Sequence, residues 1–342
     1  MYIFRWYNRI SRLYRYIISH EKPEINRLLS FLPDNSEFEV AYIMKLSKPT
    51  VFKGSAVAVV TPMKDGKVDF DSLGKLIDWQ IEQGTDAIVA VGTTGEASTL
   101  TDEEHRAVIK YAVEHTAGRV PVIAGTGAND TDYEVSLSRY ACEVGADALL
   151  LVTPYYNKTT QKGLIKHFFA AADASSKPII LYNVPSRTGM SIAPETYKEL
   201  SKHERIVATK EASGNISQIA QTIALCGEDL AVYSGNDDQI TPIMSLGGLG
   251  VISVVANIMP RETHLITKYA LEGNFAESAR LQLELLDLIN ALFVEVNPIP
   301  VKAAMGLLGL CSPEIRLPLC EPEPKTIDLL RDVLKKHGLL KE

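Results

Sequence analysis

Cysteine is scarce in this chain, and the spacing of the few cysteines excludes two common roles. The 342 residues contain four cysteines, with no C-x-x-C pair and no neighbouring histidine cluster: Cys142, Cys226, Cys311 and Cys320. A disulfide framework needs many closely spaced cysteines, and a structural zinc site needs paired ones. The pattern therefore predicts free thiols in a reducing compartment and no metal site.

Long apolar runs and an excess of positive charge are also missing. No run approaches the roughly 18 residues that span a bilayer, and the formal net charge is −7. A chain with this charge does not attract polyanions as its main partners. Hydrophobic residues make up 46% of the sequence and charged residues 23%, which is typical of a globular protein. We therefore expect neither a membrane nor a nucleic acid as a partner.

The first part of the chain differs in composition from the rest. Four arginines lie near one helical face among aromatic residues and isoleucine: Arg5, Arg9, Arg12 and Arg15. An amphipathic targeting segment is compatible with this pattern. The segment lacks the apolar core of a secretory signal and the serine content of a transit peptide, and Met44 looks like a natural start. We predict that residues 1–50 form a leader outside the fold, and we favour a dispensable extension over a targeting segment. Without it the protein would be cytoplasmic.

A strand–helix rhythm begins at residue 55. Eight apolar runs start near Ser55, Asp86, Val120, Asp147, Pro178, Arg205, Leu230 and Leu249. They are apolar on both faces, as parallel strands covered by helices must be. The stretches between them have helical spacing, and Thr101 with Glu104 forms a capping box at the start of one helix.

This rhythm predicts an α/β fold, a (β/α)8 TIM barrel over residues 51–270 with a C-terminal helical domain over residues 271–342. An open doubly wound sheet is the alternative, but it would show fewer strands and a glycine-rich phosphate-binding fingerprint. A barrel carries its active site on the loops that follow the strands. Those loops read GTTGE (92–96), TPYYN (153–157), YNVPSRTG (182–189), KEASG (210–214) and SGNDD (234–238).

Lys210 ends a predicted buried strand and is the candidate nucleophile. An amine attacks a carbonyl only as the free base, and burial at the mouth of an apolar barrel favours that uncharged form. The iminium that results is an electron sink, which permits a carbon–carbon bond to form or break. For a lone lysine, a side chain that extends from a strand end into solvent is the commoner explanation. Tyr182 on the neighbouring strand favours catalysis, because its phenol can relay protons.

Other polar residues on the same rim have both a functional and a structural interpretation. The turn at Thr93 and Thr94 could hold a carboxylate with its N–H groups, or it could be an ordinary tight loop. Arg187 could bind a substrate carboxylate or form a surface ion pair. Asp237 and Asp238 have no histidine or third carboxylate beside them, so we expect solvated loop residues there.

Taken together, the motifs resemble a known family. The order of these motifs resembles that of the dihydrodipicolinate synthases: GTTGE, AGTGAN (124–129), TPYYN, YNVPSRTG, KEASG and NPIPVK (297–302). Several of them resemble motifs of the wider class I pyruvate-dependent aldolase family, which includes N-acetylneuraminate lyase. The likeness extends from about residue 52 to the end of the chain. Three motifs, TPYYN, YNVPSRTG and NPIPVK, resemble sequences that are specific to the dihydrodipicolinate synthase branch of that family.

The resemblance implies an activity and a catalytic set. The reaction would be a Schiff-base condensation of pyruvate with L-aspartate-4-semialdehyde to 4-hydroxy-tetrahydrodipicolinate, the first committed step of the diaminopimelate and lysine pathway, with no cofactor. Lys210 would form the Schiff base, and Tyr182 would shuttle protons in a relay with Thr93 and Tyr156. In the family the last tyrosine reaches the site of a neighbouring subunit, which implies a homo-oligomer, a tetramer built as a dimer of tight dimers.

The resemblance also implies how the substrates bind. Thr94 would hold the pyruvate carboxylate, with Ile252 lining the same pocket, and Arg187 would bind the carboxylate of the semialdehyde. Two alternatives stay open: a related pyruvate-dependent aldolase or lyase that acts on a sugar acid, and a barrel without catalytic activity. Arg187 argues against the first, since a sugar chain needs groups that bind hydroxyls. The intact set of Lys210, Tyr182 and Thr93 argues against the second.

The resemblance also concerns a regulatory pocket, at which this chain departs from the family pattern. Lysine-inhibited relatives bind lysine at a subunit interface, and four residues are compatible with that pocket: Ser98, His105, Asn129 and Tyr155. Asp102 stands where the family often has a histidine, and Tyr133 stands where a carboxylate usually binds the lysine ammonium. Loss of that charge-assisted hydrogen bond, worth about 1.5–3 kcal/mol, predicts weak inhibition by lysine or none.

Overall fold

A closed barrel of eight parallel strands forms the centre of the computed structural model, which describes residues 46–341. The strands are β1 (Gly54–Ala58), β2 (Ala87–Ala90), β3 (Val122–Gly125), β4 (Ala148–Val152), β5 (Ile179–Asn183), β6 (Ile206–Glu211), β7 (Ala231–Ser234) and β8 (Gly250–Ser253). Each strand pairs with its neighbour along the chain, and β8 pairs with β1. The predicted (β/α)8 barrel is confirmed. Of the predicted leader, residues 1–45 lie outside the described residues.

Helices follow the strands and surround the barrel. They are α1 (Phe70–Glu82), α2 (Asp102–Thr116), α3 (Thr131–Glu143), α4 (Gln161–Ala174), α5 (Pro194–Leu200), α6 (Ile216–Cys226), α7 (Ile240–Ser245) and α8 (Pro260–Leu271). The capping box at the start of α2 is confirmed: the Glu104 N–H donates to Thr101 Oγ1, and the Thr101 N–H donates to a Glu104 carboxylate oxygen. In the part of the chain that the structure describes, every helix is too short or too polar to cross a membrane.

Four more helices follow the barrel: α9 (Phe275–Glu284), α10 (Leu286–Ala291), α11 (Ile299–Leu307) and α12 (Pro324–Lys336). Helix α12 packs against α10 and α11. The NPIPVK motif begins in the segment between α10 and α11 and continues into α11. This segment returns to the carboxyl end of the barrel, where Asn297 contacts the loop after β2. The exact boundary at residue 271 stays a prediction.

The strand alternation places apolar residues on both faces of the barrel wall, in two large cores and one small cluster around Val232. One core fills the barrel and includes Ile180 and Tyr182 of β5 and Ile252 of β8. The other lies between strands and helices and includes Ile179 and Leu181 of β5. Successive side chains of a strand point to opposite faces. This alternation therefore decides which side chain at each strand end reaches the interior of the barrel.

Barrel closure depends on one glycine. Gly250 begins β8 opposite Gly54 of β1, and its φ of 155° lies in a region that L side chains rarely adopt. A Cβ atom at this position would collide with the Gly54 carbonyl oxygen. Gly250 therefore allows the close backbone approach by which the last strand joins the first.

Candidate active site

The register of β5 and β6 brings Tyr182 and Lys210 together. Tyr182 pairs directly with Lys210 across the two parallel strands, and both side chains belong to the interior face of the barrel by strand alternation. Lys210 Nζ lies 4.3 Å from the centroid of the Tyr182 ring. The side chains are 5% and 7% exposed. The predicted partnership is thus a direct contact at the carboxyl end of the barrel.

The Lys210 amine contacts the Tyr182 ring. Among residues 46–341, no side chain or carbonyl accepts a hydrogen bond from this amine, and no carboxylate lies within ion-pair distance of it. An amine attacks a carbonyl as the free base, and in the part of the chain that the structure describes the Lys210 amine is not engaged in a hydrogen bond with another group.

A cavity of about 400 Å³ adjoins Tyr182, whereas Lys210 is not among its lining residues. Tyr182, Thr93 and Arg187 line it, together with other residues of the loop that follows β2. Arg187 lies on the one-turn helix Pro185–Thr188 that directly follows β5. The cavity is large enough for a small organic acid, and it offers a phenol, a hydroxyl and a guanidinium.

Asn297 connects two of the predicted substrate-binding residues. The Asn297 side-chain amide donates to Thr94 Oγ1 at 3.0 Å, and the Asn297 backbone carbonyl oxygen accepts from an Arg187 guanidinium nitrogen at 2.9 Å. Thr94 is 2% exposed, so Asn297 fixes the orientation of a buried hydroxyl. Sequence reasoning assigned no role to Asn297, although the NPIPVK motif contained the signal.

A buried ion pair supports the same loop. Lys302 Nζ donates to Glu96 Oε1 at 2.5 Å and to the Thr61 carbonyl oxygen at 3.1 Å, and both charged side chains are fully buried. Glu96 ends the GTTGE turn with a left-handed φ of 57°. The other carboxylate oxygen of Glu96 accepts a hydrogen bond from the backbone N–H of Arg316. Two residues of the C-terminal part therefore fix the turn that carries Thr93 and Thr94.

Two further predictions concern the strand ends beside Lys210. Ile252 lies in the barrel interior, in the same apolar cluster as Tyr182. The prediction that Asp237 is a solvated loop residue is wrong: it is 2% exposed and accepts hydrogen bonds from the N–H groups of Val254 and Val255. Burial raises the pKa of Asp237, and these bonds oppose that rise. The carboxylate stabilises the turn after β8, and sequence gave no sign of those distant amides.

Tyr156 does not reach the site of its own chain. Its side chain is 92% exposed, and its backbone has a left-handed φ of 68°, an uncommon conformation for an aromatic residue. Hydrogen bonds among its neighbours hold the loop: Asn157 donates to the Asn129 carbonyl oxygen, and Asn129 donates to the Tyr155 carbonyl oxygen. The Tyr156 side chain is therefore exposed on a loop whose backbone is strained at this residue.

The predicted regulatory residues lie near the candidate catalytic residue Tyr182. Ser98, His105 and Tyr155 line the same cavity as Tyr182. His105 contacts the Gly125 carbonyl oxygen at 2.8 Å, and burial lowers its pKa. Asn129 does not line this cavity but bonds to Tyr155.

Comparison with known proteins gives the same result throughout. The model of the dihydrodipicolinate synthetase family matches residues 51–337. The 4-hydroxy-tetrahydrodipicolinate synthase of Thermoanaerobacter sp. (strain X514) is 57% identical over 293 residues, 85% of this chain and 99% of that protein. The dihydrodipicolinate synthase of Aquifex aeolicus has a TM-score of 0.84 at 49% identity, over 85% of this chain and 100% of that one. The enzyme of Cyanidioschyzon merolae with lysine bound has a TM-score of 0.83 at 39% identity, over 85% and 100%.

Fold and cavity together define a (β/α)8-barrel enzyme with a candidate Schiff-base lysine. The chain belongs to the dihydrodipicolinate synthetase family. The predicted resemblance is confirmed.

Proposed function

We propose that this enzyme condenses pyruvate with L-aspartate-4-semialdehyde to 4-hydroxy-tetrahydrodipicolinate through a Schiff base on Lys210. The direct contact of Lys210 with Tyr182, beside a cavity that Arg187 also lines, is the main support. The activity of the curated relatives, which are more than half identical over nearly their whole length, supports the same reaction.

The proposed condensation passes through an iminium and an enamine on Lys210. The Lys210 amine attacks C2 of pyruvate, and loss of water gives the iminium. Loss of a proton from the methyl carbon gives the enamine, since the iminium accepts the electron pair. The enamine carbon attacks the aldehyde carbon, and the alkoxide takes up a proton. The amino group of the semialdehyde portion then attacks the imine carbon, closes the ring and releases Lys210 as the free amine.

The proposed proton relay and binding groups fit these steps. Tyr182, with Thr93 and Tyr156 of a neighbouring subunit, would move protons to and from the carbinolamine. Thr94 and the turn amides would hold the pyruvate carboxylate beside Ile252. Arg187 uses part of its guanidinium on Asn297, and its remaining N–H donors are free to bind the semialdehyde carboxylate.

A coupled assay tests the reaction itself. Wild-type enzyme is supplied with pyruvate and L-aspartate-4-semialdehyde, and the product is consumed by the next reductase. In parallel, the semialdehyde is replaced by a sugar aldehyde of the kind used by sugar-acid lyases. Turnover with the semialdehyde alone is the expected result. Turnover with the sugar alone would contradict the proposal and favour the related lyase.

The Tyr182→Phe variant is expected to slow turnover by about 10²–10⁴-fold, the usual effect of losing a positioned acid–base group. The ring that contacts Lys210 remains, and only the hydroxyl is lost. The Tyr111→Phe variant, in which the hydroxyl is lost from α2 on the outside of the barrel, serves as the control. Steady-state rates for both variants measure the effect, and a Tyr182→Phe enzyme with wild-type turnover would show that the protons move by another route.

A homo-oligomer follows from the proposed role of Tyr156, and we propose a tetramer built as a dimer of dimers. Exposure of Tyr156 in the single chain supports this arrangement. Analytical ultracentrifugation that finds only monomers would contradict it.

We also propose that the enzyme acts in the cytoplasm. All four cysteines are free in the structure, which agrees with a reducing compartment; an oxidised form recovered from cells would contradict this.

Lysine is expected to inhibit this enzyme weakly or not at all. Tyr133 donates its hydroxyl to Asp102 at 2.9 Å, and burial, with this bond, raises its pKa to about 12. Asp102 is itself paired with Arg106. The position that needs a carboxylate for the lysine ammonium therefore holds a neutral phenol. The relative from Cyanidioschyzon merolae does bind lysine.

A lysine titration of the coupled assay measures this effect. The double variant Asp102→His/Tyr133→Glu, which restores the two residue types usual in the family, is the matched comparison. It is expected to gain inhibition by lysine. Sub-millimolar inhibition of the wild type would contradict the prediction.

A further inference from the structure

A second pair of residues lies behind the candidate catalytic pair. Asn183 follows Tyr182 on β5, Glu211 follows Lys210 on β6, and the register pairs Asn183 with Glu211. Because successive side chains of a strand alternate, these two point away from the barrel interior. The strand pairing therefore gives the tyrosine–lysine contact on one face and an amide–carboxylate contact on the other.

The Glu211 carboxylate is surrounded by hydrogen-bond donors. The Asn183 amide lies 3.0 Å from Oε1 and 3.2 Å from Oε2, the Ser213 N–H donates to Oε1 at 2.9 Å, and the Tyr197 hydroxyl donates to Oε2 at 3.0 Å. Asn183 and Tyr197 are fully buried, and Glu211 is 1% exposed. Burial raises the pKa of Glu211, and the bonds from Ser213, Tyr197 and Asn183 oppose that rise.

This network holds the backbone on both sides of each candidate catalytic residue. The Tyr197 hydroxyl also contacts Thr209 Oγ1 at 3.0 Å, and Thr209 Oγ1 lies 3.3 Å from the Leu181 carbonyl oxygen. Leu181 and Asn183 flank Tyr182, just as Thr209 and Glu211 flank Lys210. A slip of either strand end, or a rotation of either peptide, would break several of these buried bonds.

A buried carboxylate is a poor choice for stability alone. Apolar residues of similar volume often replace buried charges without loss of stability, whereas a charge demands a defined geometry of donors. Between strands and helices, beside a large apolar cluster, the donors around Glu211 fix one geometry for its carboxylate. The benefit lies in the precise placement of the strand ends.

We propose that Glu211, with Asn183 and Tyr197, is a positioning residue that keeps the Lys210 amine and the Tyr182 phenol at their working separation. The inference rests on the proposed function of Lys210 and Tyr182. None of the three touches the substrate cavity or the reacting atoms. They act through the backbone, and a misplacement of about 1 Å at a reacting group can cost about 10²-fold in rate.

The Glu211→Gln variant removes one acceptor oxygen and introduces a donor that faces Asn183 or Tyr197. Its kcat, and the rate at which borohydride traps pyruvate on Lys210, are expected to fall about 10–10²-fold. The KM values are expected to change little, because Thr94 and Arg187 are held by Asn297 instead. This split between kcat and KM separates positioning from general loosening of the fold.

Three further variants complete the test. Asn183→Asp/Glu211→Gln reverses the polarity of the contact and is expected to recover part of the lost kcat. Tyr197→Phe removes one hydroxyl from the network and is expected to lower kcat, as Glu211→Gln does. If Glu211→Gln does not fold, Tyr197→Phe provides the test of the positioning role. Glu134→Gln alters another fully buried glutamate, on α3, and is expected to keep wild-type trapping.

The outcomes distinguish this inference from the function on which it rests. Wild-type trapping rates in both Glu211→Gln and Tyr197→Phe would overturn the positioning role and leave the Schiff base intact. An equal loss in Glu134→Gln would also overturn it, since any buried carboxylate would then have the same effect. Absence of trapping in the wild type would remove the proposed function, and the inference with it.

Discussion

Replacement of Lys210 by alanine is expected to abolish condensation, with a loss of about 10⁴-fold or more in turnover, as for removal of other covalent nucleophiles. Without the amine there is no iminium, and the pyruvate methyl group has no electron sink. The fold is expected to tolerate this change. Among residues 46–341, no group depends on the Lys210 amine for a hydrogen bond or a close ion pair, so its removal costs only its longer-range attraction to the buried Asp237 carboxyl group.

The coupled assay measures this loss, and circular dichroism melting of the same samples checks the fold. Lys75→Ala, at an exposed position of α1, is the control for loss of a lysine and is expected to behave as wild type. A folded Lys210→Ala enzyme that retains more than a few per cent of turnover would contradict the assignment of the nucleophile.

Replacement of Lys302 by methionine is expected to destabilise the protein by about 3–5 kcal/mol, the cost of leaving a buried charge without its partner. Lys302 and Lys210 are both buried lysines, but their surroundings differ. Lys302 contacts Glu96 and the Thr61 carbonyl oxygen, and its loss would leave Glu96 fully buried with one oxygen unpaired. Activity is expected to fall as well, because Glu96 ends the turn that carries Thr93 and Thr94.

Urea denaturation gives the free energy of unfolding for this prediction. The double variant Glu96→Gln/Lys302→Met removes both charges while an amide oxygen remains to accept from the Arg316 N–H. It is expected to be more stable than Lys302→Met alone, and the difference measures the uncompensated charge. If Lys302→Met lowered the free energy of unfolding by less than about 1 kcal/mol, the pair would contribute no more than an ordinary surface ion pair. That result would contradict the prediction.

Much of the fold could be predicted because it depends on local patterns. The apolar runs correspond to the eight strands, since parallel strands covered by helices are apolar on both faces. The proximity of Lys210 and Tyr182 could be predicted because barrel topology places the carboxyl ends of all strands on one rim. Each of these inferences needs only residues close together in sequence and a general rule of architecture.

The remaining features depend on contacts between distant parts of the chain. Asn297 contacts Thr94 and Arg187, and Lys302 contacts Glu96. The contact of Asn297 with Thr94 and that of Lys302 with Glu96 each join residues about two hundred positions apart in the sequence. No local pattern distinguishes a lysine that pairs with a buried glutamate from one that lies free. The error at Asp237 has the same origin, because the amides that it accepts from lie on the following strand end.

The most direct test of the central claim is chemical trapping. Wild-type enzyme is incubated with pyruvate, reduced with borohydride and digested, and the peptides are analysed by mass spectrometry. We expect one reduced pyruvyl group per chain, located on Lys210, and no such group on Lys302 or in a sample reduced without pyruvate. A modified lysine elsewhere, or a chain that stays unmodified while it turns over substrate, would contradict the account.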